Sequence, residues 1–286
     1  MEHRELEANG FEFTALATGP ESARPVMLLH GFPQTSWSWH HQLDGLAAEG
    51  YRALAFDQRG YSPRARPGEI QDYSVEHLVK DALAVADTQS WDTFDVVGHD
   101  WGAVIAWLLA AWHPGRVRTV CAVSVPHPSA FATALGGGDA DQTERSSYIG
   151  VFRAEGGVAE KALLGEDGSG DGLRRMFATT GLPADAPEVE VFVSAMLEPG
   201  ALTAALNWYR AMSAESLANV GKIVVPTLYV WSTKDVAIGR RGAEDTVNWV
   251  SAPYRFEVLE GVSHWIPETA PNELTGFLLE HLASNP

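Results

Sequence analysis

The chain has 286 residues, 45% of them hydrophobic, enough for one large α/β domain or a core domain carrying a smaller inserted one. Its formal net charge is −17, which disfavours nucleic-acid binding, since that work needs a basic face to meet phosphates. The only cysteine, Cys121, sits in the apolar run "RTVCAVSVP" and reads as a small buried strand residue; a disulfide framework within one chain is excluded.

The first residues, "MEHRELEANGFEFTAL", are polar and acidic, unlike a signal or transit peptide, and no apolar run reaches the length of a membrane span. A reduced, cytoplasmic protein is expected. Strand texture begins at "FEFTALAT" and "PVMLLHG" and is followed by a helical pattern in "WSWHHQLDGLAAEG". Then come a strand, "RALAFDQRG", a helix, "SVEHLVKDALAVADTQ", a strand, "FDVVGHD", a helix, "GAVIAWLLAAWHP", and a strand, "RTVCAVSVP". This alternation predicts right-handed crossovers and a mostly parallel sheet.

After Pro126 the texture changes. Residues 129–218 hold helix-period stretches and loops such as "GGGDADQ" and "GEDGSGDG", with no convincing strand. Strand texture returns in "KIVVPTLYVWS" and "YRFEVLEG", and "PNELTGFLLEHLAS" closes the chain as a helix. The predicted architecture is an α/β core over 1–127 and 219–286, flanked by helices, with a helical cap over 128–218.

Four pieces fall at strand ends, where open α/β sheets place ligand sites. They are "HGFPQ", the turn "GHDWG" around Asp100, Asp235 in "STKDV", and His264 in "GVSHW". A strand entering Gly98-His99-Asp100-Trp101-Gly102 and leaving as a helix has the form of a nucleophile elbow, with aspartate where serine is usual. The order nucleophile, acid, histidine is that of the α/β-hydrolase triad. Among ten histidines, only His264 follows the last strand and a candidate acid; His99 should point under the sheet, and His30 reads as structural. The backbone N–H groups of Phe32 and Trp101 are the expected oxyanion hole. Pro33 is a candidate for a cis peptide that turns the early loop.

The carboxylate defines the chemistry. Serine attacking a saturated carbon would leave an ether that water could not cleave. Aspartate attacking the same carbon leaves an ester, which a second step can hydrolyse. Asp100 is therefore the expected nucleophile, and His264, oriented by Asp235, the base that activates water.

The blocks "HGFPQTSWSWHHQ", "GHDWGAVIAWLLA", "LNWYRAM", "TKDV" and "GVSHW", in this order, resemble the α/β-hydrolase fold end to end and, within it, the soluble epoxide hydrolases. The resemblance implies conversion of an epoxide and water to a vicinal diol. It also implies two cap tyrosines that give a proton to the epoxide oxygen: Tyr209 in "LNWYRAM" and Tyr148 in "SSYIGVFRAEGGVAE". Trp37, Phe152 and Trp265 are expected to wall the pocket.

A dehalogenase using the same aspartate is the alternative. The residue after His30-Gly31 is Phe32, not the asparagine of many haloalkane dehalogenases, and no arginine follows Asp100 as in fluoroacetate dehalogenases. A non-catalytic binding protein on a hydrolase fold is the alternative of another class; the intact set of candidate groups argues against it. The expected partner is a small, mostly apolar epoxide, with no metal or organic cofactor. A homodimer is compatible with the sequence, although no coiled-coil signature marks one.

Overall fold

The computed structural model describes residues 1–213, 217 and 220–286. Eight strands form one sheet: β1 (Glu2–Ala8), β2 (Phe11–Thr18), β3 (Pro25–Leu29), β4 (Arg52–Phe56), β5 (Phe94–His99), β6 (Val117–Val123), β7 (Thr227–Lys234) and β8 (Tyr254–Ser263). Their spatial order is β1-β2-β4-β3-β5-β6-β7-β8. The β1–β2 and β2–β4 pairings are antiparallel; from β4 to β8 every pairing is parallel. The mostly parallel sheet read from the sequence is therefore present.

The central strands are apolar throughout because helices cover both faces. β5 is buried from Phe94 to His99. On one face α1 (His40–Ala48) and α13 (Pro271–Ser284) pack together, Leu43 and Leu46 meeting Leu274, Leu278 and Leu282 in one core cluster. On the other face lie α2 (Val75–Thr88) and α3 (Trp101–Trp112). α2 buries only one stripe, through Leu78, Val79, Ala82, Val85 and Ala86. α3 is almost wholly apolar and almost wholly buried, packed against β3, β5, β6 and α2.

Strand β1 was not expected. Of its side chains only Leu6 and Ala8 are buried, as suits a sheet edge, so it lacks a hydrophobic signature. The signal lay in the turn: Asn9 and Gly10 both have positive φ, 48° and 80°, the geometry of a two-residue type I′ hairpin.

Between β6 and β7 the chain leaves the sheet and forms seven described helices: α4 (Pro128–Gly136), α5 (Ala140–Arg145), α6 (Tyr148–Phe152), α7 (Val158–Leu164), α8 (Asp171–Thr179), α9 (Pro187–Leu197) and α10 (Ala201–Ala211). This is the helical cap. The expected cap–core boundary at residues 218 and 219 lies outside the described residues. α10 is tied down by the Trp208 indole, which donates to the Arg59 carbonyl at 2.8 Å. Two further helices, α11 (Arg240–Asp245) and α12 (Ile266–Thr269), follow β7 and β8. No single described helix is long and apolar enough to cross a membrane.

The topology places the site. From β3 the chain moves outward to β4, then returns to β5 on the other side of β3. The crevice at this switch lies between the β3 loop, with Phe32, and the end of β5, with Asp100. Because β5, β6, β7 and β8 are successive neighbours, the residues after them form a row: Asp100, Ser124, Asp235 and His264.

Candidate active site

Asp100 sits at φ 52°, ψ −120°, a left-handed conformation that a non-glycine residue adopts only when its surroundings impose it. The flanking glycines make the turn feasible. A Cβ on Gly98 would run into the Gly102 carbonyl, and one on Gly102 into the Leu29 carbonyl of β3. The elbow thus holds the carboxyl at the C-terminal end of the central strand β5, at the N-terminus of α3.

The Phe32 N–H donates to Asp100 Oδ1 at 2.8 Å, and the Trp101 N–H also reaches the carboxyl. The Phe32–Pro33 peptide is cis. Burial drives the Asp100 carboxyl above its ordinary value, against the His264 charge and the two N–H donors.

His264 Nδ1 lies 3.0 Å from Asp235 Oδ2 and 3.1 Å from Oδ1. Burial opposes the charged imidazole, but the Asp235 and Asp100 carboxylates outweigh it and push His264 up to about 9. Asp235 is buried too. Burial would raise it, yet His264, the Ser124 hydroxyl and the Ala237 N–H bring it below its ordinary value. Its Oδ1 also accepts the Ala237 and Ile238 N–H groups at 2.8 and 3.0 Å, which fixes the carboxylate plane.

Tyr148 from α6 and Tyr209 from α10 line the same cavity as Asp100. Their rings stand 6.2 Å apart between centroids, and Tyr209 also lies against the Trp101 indole. Burial and then the nearby charges and phenols, Asp100 among them, push both phenols far up, so both remain donors. Tyr209 packs edge-on against Phe32 and Trp101, with ring centroids at 5.4 and 5.1 Å.

The cavity has two lobes that share Asp100, Tyr148 and Tyr209. The larger, about 170 Å³, is walled by Phe32, Phe152, Met176 and Trp265; the smaller, about 60 Å³, by Val104, Phe131, Ile149 and Met212. No lysine or arginine lines either lobe. Phe152 and Trp265 are therefore at the wall, and Trp265 donates to Thr180 Oγ1 at 2.9 Å. Trp37 is not brought to it. Its indole stacks on His40 instead, with an interplanar angle of 4°.

Other residues enter that the sequence reading passed over. Ser124, at φ 70°, donates its hydroxyl to Asp235 Oδ2 at 2.6 Å and faces His264 Nδ1 at 3.1 Å. It lies one residue past β6, so the strand-end rule that picked out Asp100 also pointed to it. His99 is buried and reaches the His264 carbonyl at 2.9 Å, while His30 Nε2 accepts the Gln58 N–H at 3.1 Å in a structural role. Among the described residues, His40, His41 and Glu188 form the group whose candidate metal-ligand atoms lie within 4.8 Å of one another; none of them lines the cavity. No sequence spacing betrays that group, since Glu188 comes from the cap.

A mostly parallel sheet with an aspartate elbow, a second aspartate and a histidine at strand ends is the arrangement of an α/β hydrolase with a carboxylate in the nucleophile's place. Residues 24–271 match the model of the alpha/beta hydrolase fold family. The chain is 32% identical to Epoxide hydrolase A of Mycobacterium tuberculosis over 98% of its own length and 96% of that protein's. It is also 32% identical to the AB hydrolase superfamily protein YfhM of Bacillus subtilis, over 97% and 96% of the two chains. The crystal structure of Epoxide Hydrolase A from Mycobacterium thermoresistibile superimposes with a TM-score of 0.84 at 28% identity, covering 99% of this chain and 98% of the other. The chain belongs to the α/β-hydrolase fold family, is closely related to epoxide hydrolases, and carries their Asp–His–Asp catalytic machinery.

Proposed function

We propose that the protein hydrolyses a small, neutral, mostly apolar epoxide to a vicinal diol through an ester on Asp100. The observation that carries the reading is the sharing of one apolar cavity by a carboxylate elbow and two protonated phenols.

Asp100 Oδ1 is engaged by the Phe32 N–H, which leaves Oδ2 to attack an epoxide carbon. The carbon–oxygen bond of the ring breaks, and Tyr148 or Tyr209 gives the departing oxygen its proton. The product is a hydroxyalkyl ester whose carbonyl oxygen rests on the Phe32 and Trp101 N–H groups. His264 then takes a proton from water, and the hydroxide attacks the ester carbon. The tetrahedral oxyanion is held by the same two N–H groups. Its collapse breaks the ester bond: the departing diol oxygen takes the proton held by His264, the proton left on the carboxyl returns to the tyrosinate, and Asp100 is regenerated as a carboxylate with one oxygen from water. Asp235 orients the imidazole and offsets its charge.

Alkylation itself prepares the second step. In the free enzyme the Asp100 charge is one reason His264 stands at about 9. Esterification removes that charge, so the imidazole holds a proton less tightly once there is an ester to hydrolyse.

A dehalogenase would need donors free to cradle a halide. Here two phenols line the cavity beside Asp100 as proton donors, which favours the epoxide reading. We assign residues 1–127 and 219–286 to the core and 128–218 to the cap. A reducing, cytoplasmic setting agrees with a lone cysteine, Cys121, whose thiol is buried and pushed up. The test is a panel of epoxides and haloalkanes with diol and halide measured together. Diol without halide supports the reading; halide release with no diol from any epoxide overturns it.

A further inference from the structure

Under the catalytic base lies a chain of polar groups, buried at Gln34 and His99 and half-buried at Glu268, that the proposed reaction does not use. Gln34 Nε2 faces Glu268 Oε1 at 2.5 Å, Gln34 Oε1 faces His99 Nδ1 at 2.9 Å, and His99 Nε2 faces the His264 carbonyl at 2.9 Å. In that sense the bonds cannot all form with a neutral imidazole. Both partners of His99 would be acceptors, so both ring nitrogens would need protons.

A doubly protonated His99 is disfavoured. Burial first, and then the His264 charge, bring it down to about 3. Its ring lies 4.9 Å from that of His264; Asp235 pulls the other way and His30 adds to the lowering. Turning the Gln34 amide by half a rotation resolves the conflict, since its nitrogen and oxygen are interchangeable in shape. The Gln34 NH₂ then donates to His99 Nδ1, and His99 Nε2–H donates to the His264 carbonyl. Gln34 oxygen now meets Glu268 Oε1, and one of those two oxygens must carry a proton.

Only Glu268 can supply it. Its Oε2 is buried without a partner, tolerable for a neutral carboxylic acid and costly for a carboxylate. Burial pushes the group up to about 8 against the pull of its own backbone N–H, the Gln34 contact and His264, and Glu188 from α9 pushes it further.

We infer that Glu268, Gln34 and His99 form a one-directional relay, each donating to the next, that ends on the His264 carbonyl and positions the base for ester hydrolysis. The role rests on the proposed epoxide chemistry. The geometry of the relay does not. When Glu268 loses its proton the chain must reverse, and His99 then presents a lone pair to the His264 carbonyl. The peptide that carries the base loses its donor.

Two readouts test this. Nitrogen-15 NMR of histidine-labelled enzyme should find His99 as the Nε2–H tautomer at neutral pH, moving toward Nδ1–H as Glu268 ionises. In Glu268→Gln the new amide can still donate to Gln34, so the tautomer should stay Nε2–H at every pH. In parallel, the single-turnover hydrolysis rate of wild type should fall about tenfold on the alkaline side, the effect of one unmet buried hydrogen bond, whereas Glu268→Gln should keep its rate there. An Nδ1–H tautomer at neutral pH in wild type, or the same alkaline change in Glu268→Gln, overturns the relay. The tautomer is measurable without any substrate, so a failure of the epoxide reading leaves this test standing.

Discussion

The imidazole Nε2 of His264 stands 3.7 Å from Asp100 Oδ2, too far for a hydrogen bond and near enough for one charge to govern the other. Replacing Asp100 by Asn removes that charge while keeping its shape. The His264 titration followed by NMR should then have its midpoint below the value of about 9 set by both carboxylates. The sign follows from the pairing: an anion favours the protonated imidazole, so its loss favours the neutral one. An unchanged midpoint would mean that Asp235 alone sets the base.

His264→Gln separates the two half-reactions. The base acts only on water, so alkylation continues while ester hydrolysis slows by roughly 10²–10⁴-fold. Intact-protein mass spectrometry after epoxide treatment should record an adduct of substrate mass, and peptide mapping should locate it on Asp100. An adduct elsewhere would remove Asp100 from the role of nucleophile.

Tyr148→Phe and Tyr209→Phe keep the rings and remove the donors. Each is expected to slow Asp100 alkylation, up to roughly 10²–10³-fold if the other cannot compensate. Since both phenols line the same cavity beside Asp100, the double variant should be slower than either single one. Hydrolysis of a preformed ester should change less. Wild-type alkylation in both single variants and the double variant would make the pair ordinary packing.

The closing helix Pro271–Ser284 and the elbow around Asp100 were legible because each is written locally: a proline start and a helical period in one, glycines flanking a strand–helix junction in the other. What escaped was written in space. Glu268 meets Gln34 across a sequence separation of 234 residues, and Ser124 meets Asp235 across 111. Neither pair has a local pattern, because the sheet order brings them together. Trp37 is absent from the cavity wall for a different, local reason: its indole stacks on His40 in the same turn.

Ser124 is expected to matter more than a strand-end serine ordinarily would. Its hydroxyl is one of the groups that lower Asp235, and a hydrogen bond to a charged group is worth about 1.5–3 kcal/mol. Ser124→Ala should therefore reduce ester hydrolysis by roughly 10-fold to 100-fold. Asp235 contributes stability above the unfolded carboxylate range that is lost as pH falls through its lowered native value, so the variant should also denature at a higher pH in acid. The backbone supplies a control. Ser124 sits at φ 70°, where glycine is relaxed, so Ser124→Gly should be as slow as Ser124→Ala but more stable. If the glycine variant hydrolyses the ester at wild-type speed, the hydroxyl is dispensable.

Glu268 makes the protein carry a pH-dependent cost that thermal unfolding can read. In the unfolded chain the carboxyl titrates near 4.5; in the native structure burial holds it protonated up to about 8. A group whose native value is raised contributes its full share of stability below the unfolded value and loses it as pH rises toward the native one. Wild type should therefore weaken between pH 4.5 and about 8 relative to Glu268→Gln, whose amide does not titrate. The gap should be negligible at the acid end and on the order of 2 kcal/mol at the alkaline end, less than the full shift allows because the stem of the residue is partly exposed and the site can relax. For a chain of this size such a gap moves the unfolding midpoint by several degrees. Midpoints of the two proteins that run parallel across this range would mean that Glu268 ionises normally, and the carboxyl would then face Gln34 as an acceptor.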